Sequence, residues 1–172
     1  NSVKQDLYCP GVIYWSINHN TIHFMSLLQT GTVAPDFTLA DHTGAMRTLS
    51  EFKGSYVVVY FYPKDDTPGC TKEACMIRDV YNDFEKAGIV VLGISKDSPA
   101  SHSKFREKYQ LPFILLSDPE KLAIEAYGAT GMLFSKRITY VIDPTGIVVA
   151  VYPNVDPADH AIELLNDIKK LS

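Results

Sequence analysis

"YVVVYFYPKDDTPGCTKEAC", residues 56 to 75, decides the fold. Its first seven residues are β-branched and aromatic on both faces, the pattern of a central strand buried on both sides. Pro63 ends the run. From about Cys70, apolar residues recur at Ala74, Ile77, Val80, Tyr81 and Phe84, a helical stripe closed by Gly88. The thiol therefore sits in the first turn of a helix, where unpaired backbone N–H groups and the positive end of the helix dipole favour a thiolate. A structural cysteine needs no such approach, and a reactive one does.

Outward from this stretch, strands and helices alternate. Short strands are expected around Phe37 to Leu39 and Arg47 to Leu49, joined by a turn at Asp41 to Gly44. "IVVLGIS" (89–95) is the next buried strand, and Ser98-Pro99 starts a helix running toward Tyr109 in the N-cap and N1 arrangement. A strand near Phe113 to Leu116 leads to Asp118-Pro119, which caps a helix to about Tyr127. "RITYVID" and "IVVAVY" form a hairpin around Pro144-Thr145-Gly146, and a last helix after Asp156-Pro157 presents Ile162, Leu165, Ile168 and Leu171 on one face. The order is a βαβ unit, a further strand, a hairpin and a helix. It predicts an α/β chain with a mixed central sheet flanked by helices, of which the thioredoxin-like fold is the commonest case with a cysteine after the central strand.

The 172 residues suit one domain over residues 25–172, and 46% hydrophobic with 21% charged residues is ordinary globular composition. No apolar run approaches the roughly 18 to 20 residues of a membrane-spanning helix. A net charge of -4 argues against a nucleic-acid partner, which calls for a basic face. Residues 1–24 show neither helical nor clean strand periodicity and read as an appended extension, so Cys9 within it reads as incidental. They carry no pattern of a secretory signal or a transit peptide. Three cysteines are too few for a secreted disulfide framework, which favours a reducing compartment, the cytoplasm. The five histidines show no spacing that would join the cysteines as metal ligands.

In the cysteine stretch, Pro63 and Pro68 supply rigid walls without N–H donors, and the Thr67 hydroxyl lies within reach of the sulfur or of an oxygen approaching it. Alone, "TPG" reads equally as a helix-start turn. As a set, Pro63, Thr67 and Cys70 match the P-x-x-x-T-x-x-C motif of peroxiredoxins, and "TPGCTKEAC" resembles the bacterioferritin comigratory protein or peroxiredoxin Q subgroup. The resemblance continues through "APDFTL", "RD", "VLGIS", "LLSD" and "RITYVID", from about Gly31 to the C-terminus. It implies a thioredoxin-fold peroxidase without cofactor or metal. Cys70 would attack the O–O bond of hydrogen peroxide or an organic hydroperoxide, and Arg137 would hold the thiolate and the departing oxyanion. Without the resemblance, Arg137 reads as a surface cation beside Lys136.

Cys75 follows Cys70 by five residues. On an ideal helix this rotates the two side chains roughly 140° apart and separates their Cα atoms by about 9 Å. A disulfide spans at most about 7 Å, so the sulfurs cannot join while the helix is intact. The resemblance implies that Cys75 resolves the sulfenic acid, with the first helical turns unwinding, and that thioredoxin or a similar dithiol protein reduces the product. The alternative is a small buried hydrophobe. A disulfide within one helix needs no partner chain, which favours a monomer. Two rival classes fit less well. A thioredoxin-type dithiol oxidoreductase calls for Cys-x-x-Cys, and a cysteine hydrolase would pair Cys70 with His102 or His160, neither of which stands in a supporting motif.

Overall fold

A computed structural model of the chain describes residues 26–171. The extension expected over residues 1–24, Cys9 within it, and a domain start at Met25 lie outside the described residues. Within them the strands are β1 (Thr38–Asp41), β2 (Met46–Thr48), β3 (Tyr56–Phe61), β4 (Ile89–Ser95), β5 (Ile114–Ser117), β6 (Ile138–Ile142) and β7 (Val148–Tyr152). The helices are α1 (Pro68–Asp79), α2 (Tyr81–Lys86), α3 (Pro99–Tyr109), α4 (Leu122–Ala126) and α5 (His160–Leu171). The strands form one mixed sheet in the order β2-β1-β5-β4-β3-β6-β7. β3, β4 and β5 pair in parallel at its centre, and β6 runs antiparallel to β3 with Phe61 opposite Ile138.

Alternation along β3 builds both faces. Val57, Val59 and Phe61 pack with Ala123 and Ile124 of α4, while Val58 and Tyr60 pack with residues of α1, α2, α3 and α5. Helices on both faces explain why the strand reads as a continuous apolar run. Fully burying a side chain such as Ile77 or Phe84 of the helical layer contributes about 1.5–3 kcal/mol. Both hairpin turns use one device. In "DHTG" and "DPTG" the aspartate carboxylates, Asp41 and Asp143, accept N–H bonds from Thr43 and Thr145, and Gly44 and Gly146 take positive φ. No helix among the described residues is long and apolar enough to cross a membrane.

Three expected elements differ. The helix expected from Cys70 to Lys86 breaks at Val80 (φ -111°, ψ 13°) into α1 and α2. Val80 is β-branched and a weak helix former, and the apolar period runs through the break without a gap. The helix expected after Asp118-Pro119 is regular only over Leu122–Ala126, because Lys121 takes a left-handed conformation. Asp118 does cap it, accepting from the Leu122 and Ile124 N–H groups at 2.8 Å each. In α5 the core receives Ala161, Leu164, Leu165 and Ile168, whereas Ile162 and Leu171 stay 49% and 47% exposed. Steps of three residues fall about 60° short of a turn, so from 162 to 171 the direction drifts by half a circle.

Gly93 of β4 lies opposite Tyr60. A Cβ there would stand 2.7 Å from the Tyr60 ring and hydroxyl and 2.8 Å from Leu115. Tyr60 cannot swing aside, because it is buried and stacks on Tyr62 with centroids 5.4 Å apart. Gly93→Ala should therefore lower stability by about 1–3 kcal/mol, read as a fall in the urea midpoint at unchanged m-value.

Candidate active site

Tyr62 and Pro63 carry the chain out of β3, and Thr67, in extended geometry, is the N-cap of α1. Pro68, Gly69 and Cys70 follow as its first three residues, so the helix starts two residues earlier than expected and Cys70 closes its first turn. The thiol is 3% exposed. The Thr67 hydroxyl does not bond the sulfur. It donates to the Lys64 carbonyl at 3.0 Å, which ties the loop to the helix start and leaves the hydroxyl oxygen as an acceptor. Pro63 is half-buried beside the loop.

Arg137 immediately precedes β6, and the pairing of Phe61 with Ile138 brings that strand end beside the exit of β3. Its Nη2 donates to Cys70 Sγ at 3.3 Å. Its Nη1 bonds the Glu73 carboxylate. Glu73 stands one helical turn after Cys70 and is 1% exposed, so the two side chains meet the guanidinium from one helix face. Burial pushes the Glu73 carboxyl up to about 7 despite the opposing pull of Arg137. Burial also works against the Arg137 charge, but Glu73 and Cys70 outweigh it and raise its pKa above the ordinary value.

Glu73 Oε1 and the nearby Tyr60 hydroxyl are buried and have no hydrogen-bond partner among the described residues. The Tyr60 phenol is pushed well above its ordinary range by burial first, then by Glu73, Asp65 and Cys70. Neither histidine bonds Cys70. His102 faces Asp65 and the Leu116 carbonyl, and His160 faces Glu163. A separate apolar cavity of about 130 Å³, lined by residues that include Val33, Val57 and Ile142, lies toward the opposite end of β3 and holds no thiol.

A thiol at a helix start with an arginine held on it suits attack on an electrophilic oxygen, and the comparisons agree. Residues 30–151 match the model of the AhpC/TSA family. The chain belongs to this family. It is 47% identical over 146 residues to the putative peroxiredoxin bcp of Coxiella burnetii, covering 80% of this chain and 97% of that protein. It is 47% identical over 156 residues to the chloroplastic peroxiredoxin Q of Populus jackii, covering 88% and 72%. Among solved structures, the peroxidoxin BcpB of Mycobacterium tuberculosis superposes with a TM-score of 0.80 at 34% identity over 84% of this chain and 99% of that one. The bacterioferritin comigratory protein of Xanthomonas campestris gives 0.76 at 34% identity over 78% and 90%. The chain is thus a peroxiredoxin of thioredoxin-like fold, a peroxidase that reduces peroxide with thiols.

In this peroxiredoxin Cys70 and Cys75 are both free, Cys70 buried and Cys75 half-buried. Both lie within α1, so the separation of about 9 Å for an ideal helix applies. Sequence reasoning missed Glu73 and Gly69. The signal for Glu73 was an acid beside Ala74 on the apolar face of the helix, where a buried carboxylate calls for a partner. Gly69 leaves room for the guanidinium, because a Cβ would stand 3.2 Å from Arg137 Nη2.

A test of this electrostatic arrangement follows from Glu73. Its folded pKa of about 7 lies above the ordinary 4.5, so between these values the folded state keeps a proton that the unfolded chain has released. Stability from this group is greatest below pH 4.5 and declines as pH rises toward 7, by about 3 kcal/mol. Urea unfolding at pH 5 and pH 7.5 should show Glu73→Gln gaining on the wild type at the higher pH. Parallel pH curves for the two proteins would contradict the assignment.

Proposed function

We propose that this peroxiredoxin reduces hydrogen peroxide and small organic hydroperoxides through Cys70 as attacking thiolate and Cys75 as resolving thiol, with thioredoxin or a similar dithiol protein as electron donor. The observation that carries this reading is the Arg137 donor on the Cys70 sulfur at the start of α1. The sulfur attacks the terminal oxygen of ROOH, the O–O bond breaks, and RO⁻ departs to be protonated, leaving Cys70 as sulfenic acid. The planar guanidinium suits this step, since Nη2 faces the sulfur while Nη1 stays on Glu73, which keeps the positive charge beside the reacting sulfur. Pro63 and Thr67 shape the approach, and the Thr67 oxygen remains free to accept a peroxide proton.

The Cys75 thiol then displaces hydroxide from the sulfenic acid, which leaves as water after taking the thiol proton, and a disulfide forms. A dithiol donor reduces this bond by exchange. The helix must open first, because an intact α1 holds the two Cα atoms about 2 Å too far apart. The work on alkyl peroxide reduction by the Xanthomonas campestris protein supports organic hydroperoxides as substrates. Since both thiols lie on one helix, a monomer suffices. Reduced thiols call for a reducing compartment, and we take this to be the cytoplasm, while noting that the Populus jackii relative is chloroplastic.

Cys70→Ser should abolish peroxide consumption, and substantial turnover surviving that change would refute the assignment. Cys75→Ser should spare the first turnover and slow recycling by thioredoxin. Peptide mapping after one equivalent of peroxide should find Cys70 joined to Cys75, whereas a dominant bridge from Cys9 would overturn the resolving role. Amide exchange across residues 69–78 should quicken on oxidation while β3 stays protected. Unchanged protection of that helix, with the disulfide in place, would show that α1 does not open.

A further inference from the structure

Five residues before Cys70, Asp65 sits in the loop between β3 and α1 with its side chain only 4% exposed. Its carboxylate collects three partners. Oδ1 accepts from the Tyr62 hydroxyl at 2.7 Å, Oδ2 accepts from the Ser101 hydroxyl at 2.7 Å, and His102 Nδ1 lies 2.9 Å from Oδ2. The Asp65 backbone N–H donates to Asp97 Oδ2 at 2.9 Å. The next residue, Asp66, is held from the same helix, by Lys108 Nζ at 2.7 Å and the Tyr109 hydroxyl at 2.6 Å. Helix α3 therefore grips the loop at two consecutive residues.

His102 is 0% exposed, and both its ring nitrogens face acceptors. Nδ1 faces the Asp65 carboxylate, and Nε2 faces the Leu116 carbonyl of β5 at 3.1 Å. Each contact needs a proton between its heavy atoms, since two lone pairs at that distance repel. The Tyr62 hydroxyl lies 3.3 Å from the same Nδ1. The ring thus joins the loop to the sheet by two hydrogen bonds in a buried place.

We propose that His102 is a positioning residue for the peroxidase reaction: through Asp65 it pins the loop ahead of Cys70 and so sets how the Cys70 sulfenic acid divides between disulfide closure and over-oxidation. This rests on the reading of Cys70 and Cys75 as the redox pair. To reach Cys75, the sulfur must leave Arg137, and the chain that moves with it is anchored at Asp65 and Asp66. A short anchored segment offers few ways to open, which lengthens the stay of the sulfenic acid in its pocket. There a second hydroperoxide converts Cys70–SOH to the sulfinic acid and releases ROH, while closure instead consumes the Cys75 thiol and releases water. Loosening the anchor shifts this competition toward the disulfide. It also blurs the placement of Pro63 and Thr67, which slows the first attack.

The test compares the full chain with His102→Gln, Ser101→Ala, Tyr62→Phe and Cys75→Ser at one excess of hydrogen peroxide. Each is held equally far below its own unfolding midpoint, and sulfinic acid and disulfide are counted by mass spectrometry. Glutamine cannot bridge Asp65 and Leu116 together. His102→Gln should lower the sulfinic-to-disulfide ratio severalfold and slow the first turnover about tenfold. Ser101→Ala and Tyr62→Phe, each removing one contact to Asp65, should lower the ratio less, and they decide the matter if His102→Gln does not fold. A merely structural role would shift midpoints and leave the ratio alone. A raised sulfinic yield in Cys75→Ser beside unchanged ratios in the other variants sinks this proposal and spares the redox pair. An unchanged sulfinic yield in Cys75→Ser removes the resolving role and this proposal with it.

Discussion

Arg137 carries one positive charge and serves two groups that compete for it. The Cys70 sulfur and the Glu73 carboxylate each take one N–H of the same fork, which a lysine, with its single ammonium on a flexible stem, could not offer in a fixed plane. Glu73 has a mechanical consequence: a guanidinium already bonded at Nη1 has little freedom to turn Nη2 away from the sulfur. The Nη2 donor is therefore fixed on the sulfur, the kind of preorganisation that the proposed attack on a peroxide would use. The arrangement is expensive to bury. Desolvation raises Glu73 toward neutrality, and removing one member of such a pair typically costs about 3–5 kcal/mol because the other is left uncompensated.

The sheet makes this meeting possible. Cys70 and Arg137 are far apart in sequence, and what joins them is the antiparallel register of β3 and β6, with Phe61 opposite Ile138. A slip of one residue would exchange the faces of β6, sending Tyr140 and Val141 into the wrong layers. Those layers differ: Tyr140 packs with α4 on one side, Val141 with α1 and α5 on the other. The core thus enforces the register, and the register delivers Arg137 to the end of the strand where α1 begins.

Features that depend on local chemistry were legible in the sequence. β3 announces itself within the run of seven β-branched and aromatic residues from 56 to 62, and Cys70 by the strand, prolines and helix stripe around it. Arg137 was named through the resemblance, since nothing in its spacing separates it from Lys136. What escaped depends on direction in space. Periodicity does not report the break at Val80, because the stripe continues on both sides of it. Counting every third residue in α5 chose Ile162 and Leu171, which rotation carries out of the core. The Thr67 hydroxyl is expected on the sulfur or on an oxygen approaching it; its proton goes instead to the Lys64 carbonyl, and its oxygen is left as an acceptor. Two partners of Asp65, Ser101 and His102, lie on α3, more than thirty residues away, and no local pattern marks them.

The first turn of α1 must meet opposite demands, and its composition answers both. A reactive thiol gains from the free N–H groups of a helix start, yet the proposed closure with Cys75 would need that start to come apart. Pro68 takes the favourable first position of the helix, but two other devices that helices commonly carry are missing. Thr67 makes no side-chain cap bond, and the first turn contains no acid, although a capping bond is typically worth about 1 kcal/mol. An acid there would repel the thiolate, so its absence serves the chemistry as well. Gly69 adds an intrinsic helix penalty of about 1 kcal/mol, retained where a side chain would crowd Arg137. Around this turn stand the Arg137 contact to Cys70 and the loop before it, bonded to α3 at Asp65 and Asp66. In the proposed cycle, oxidation turns the Cys70 sulfur that accepts from Arg137 Nη2 into a sulfenic acid, a poorer acceptor, so the chemical step would itself loosen a restraint on the turn that is to open next.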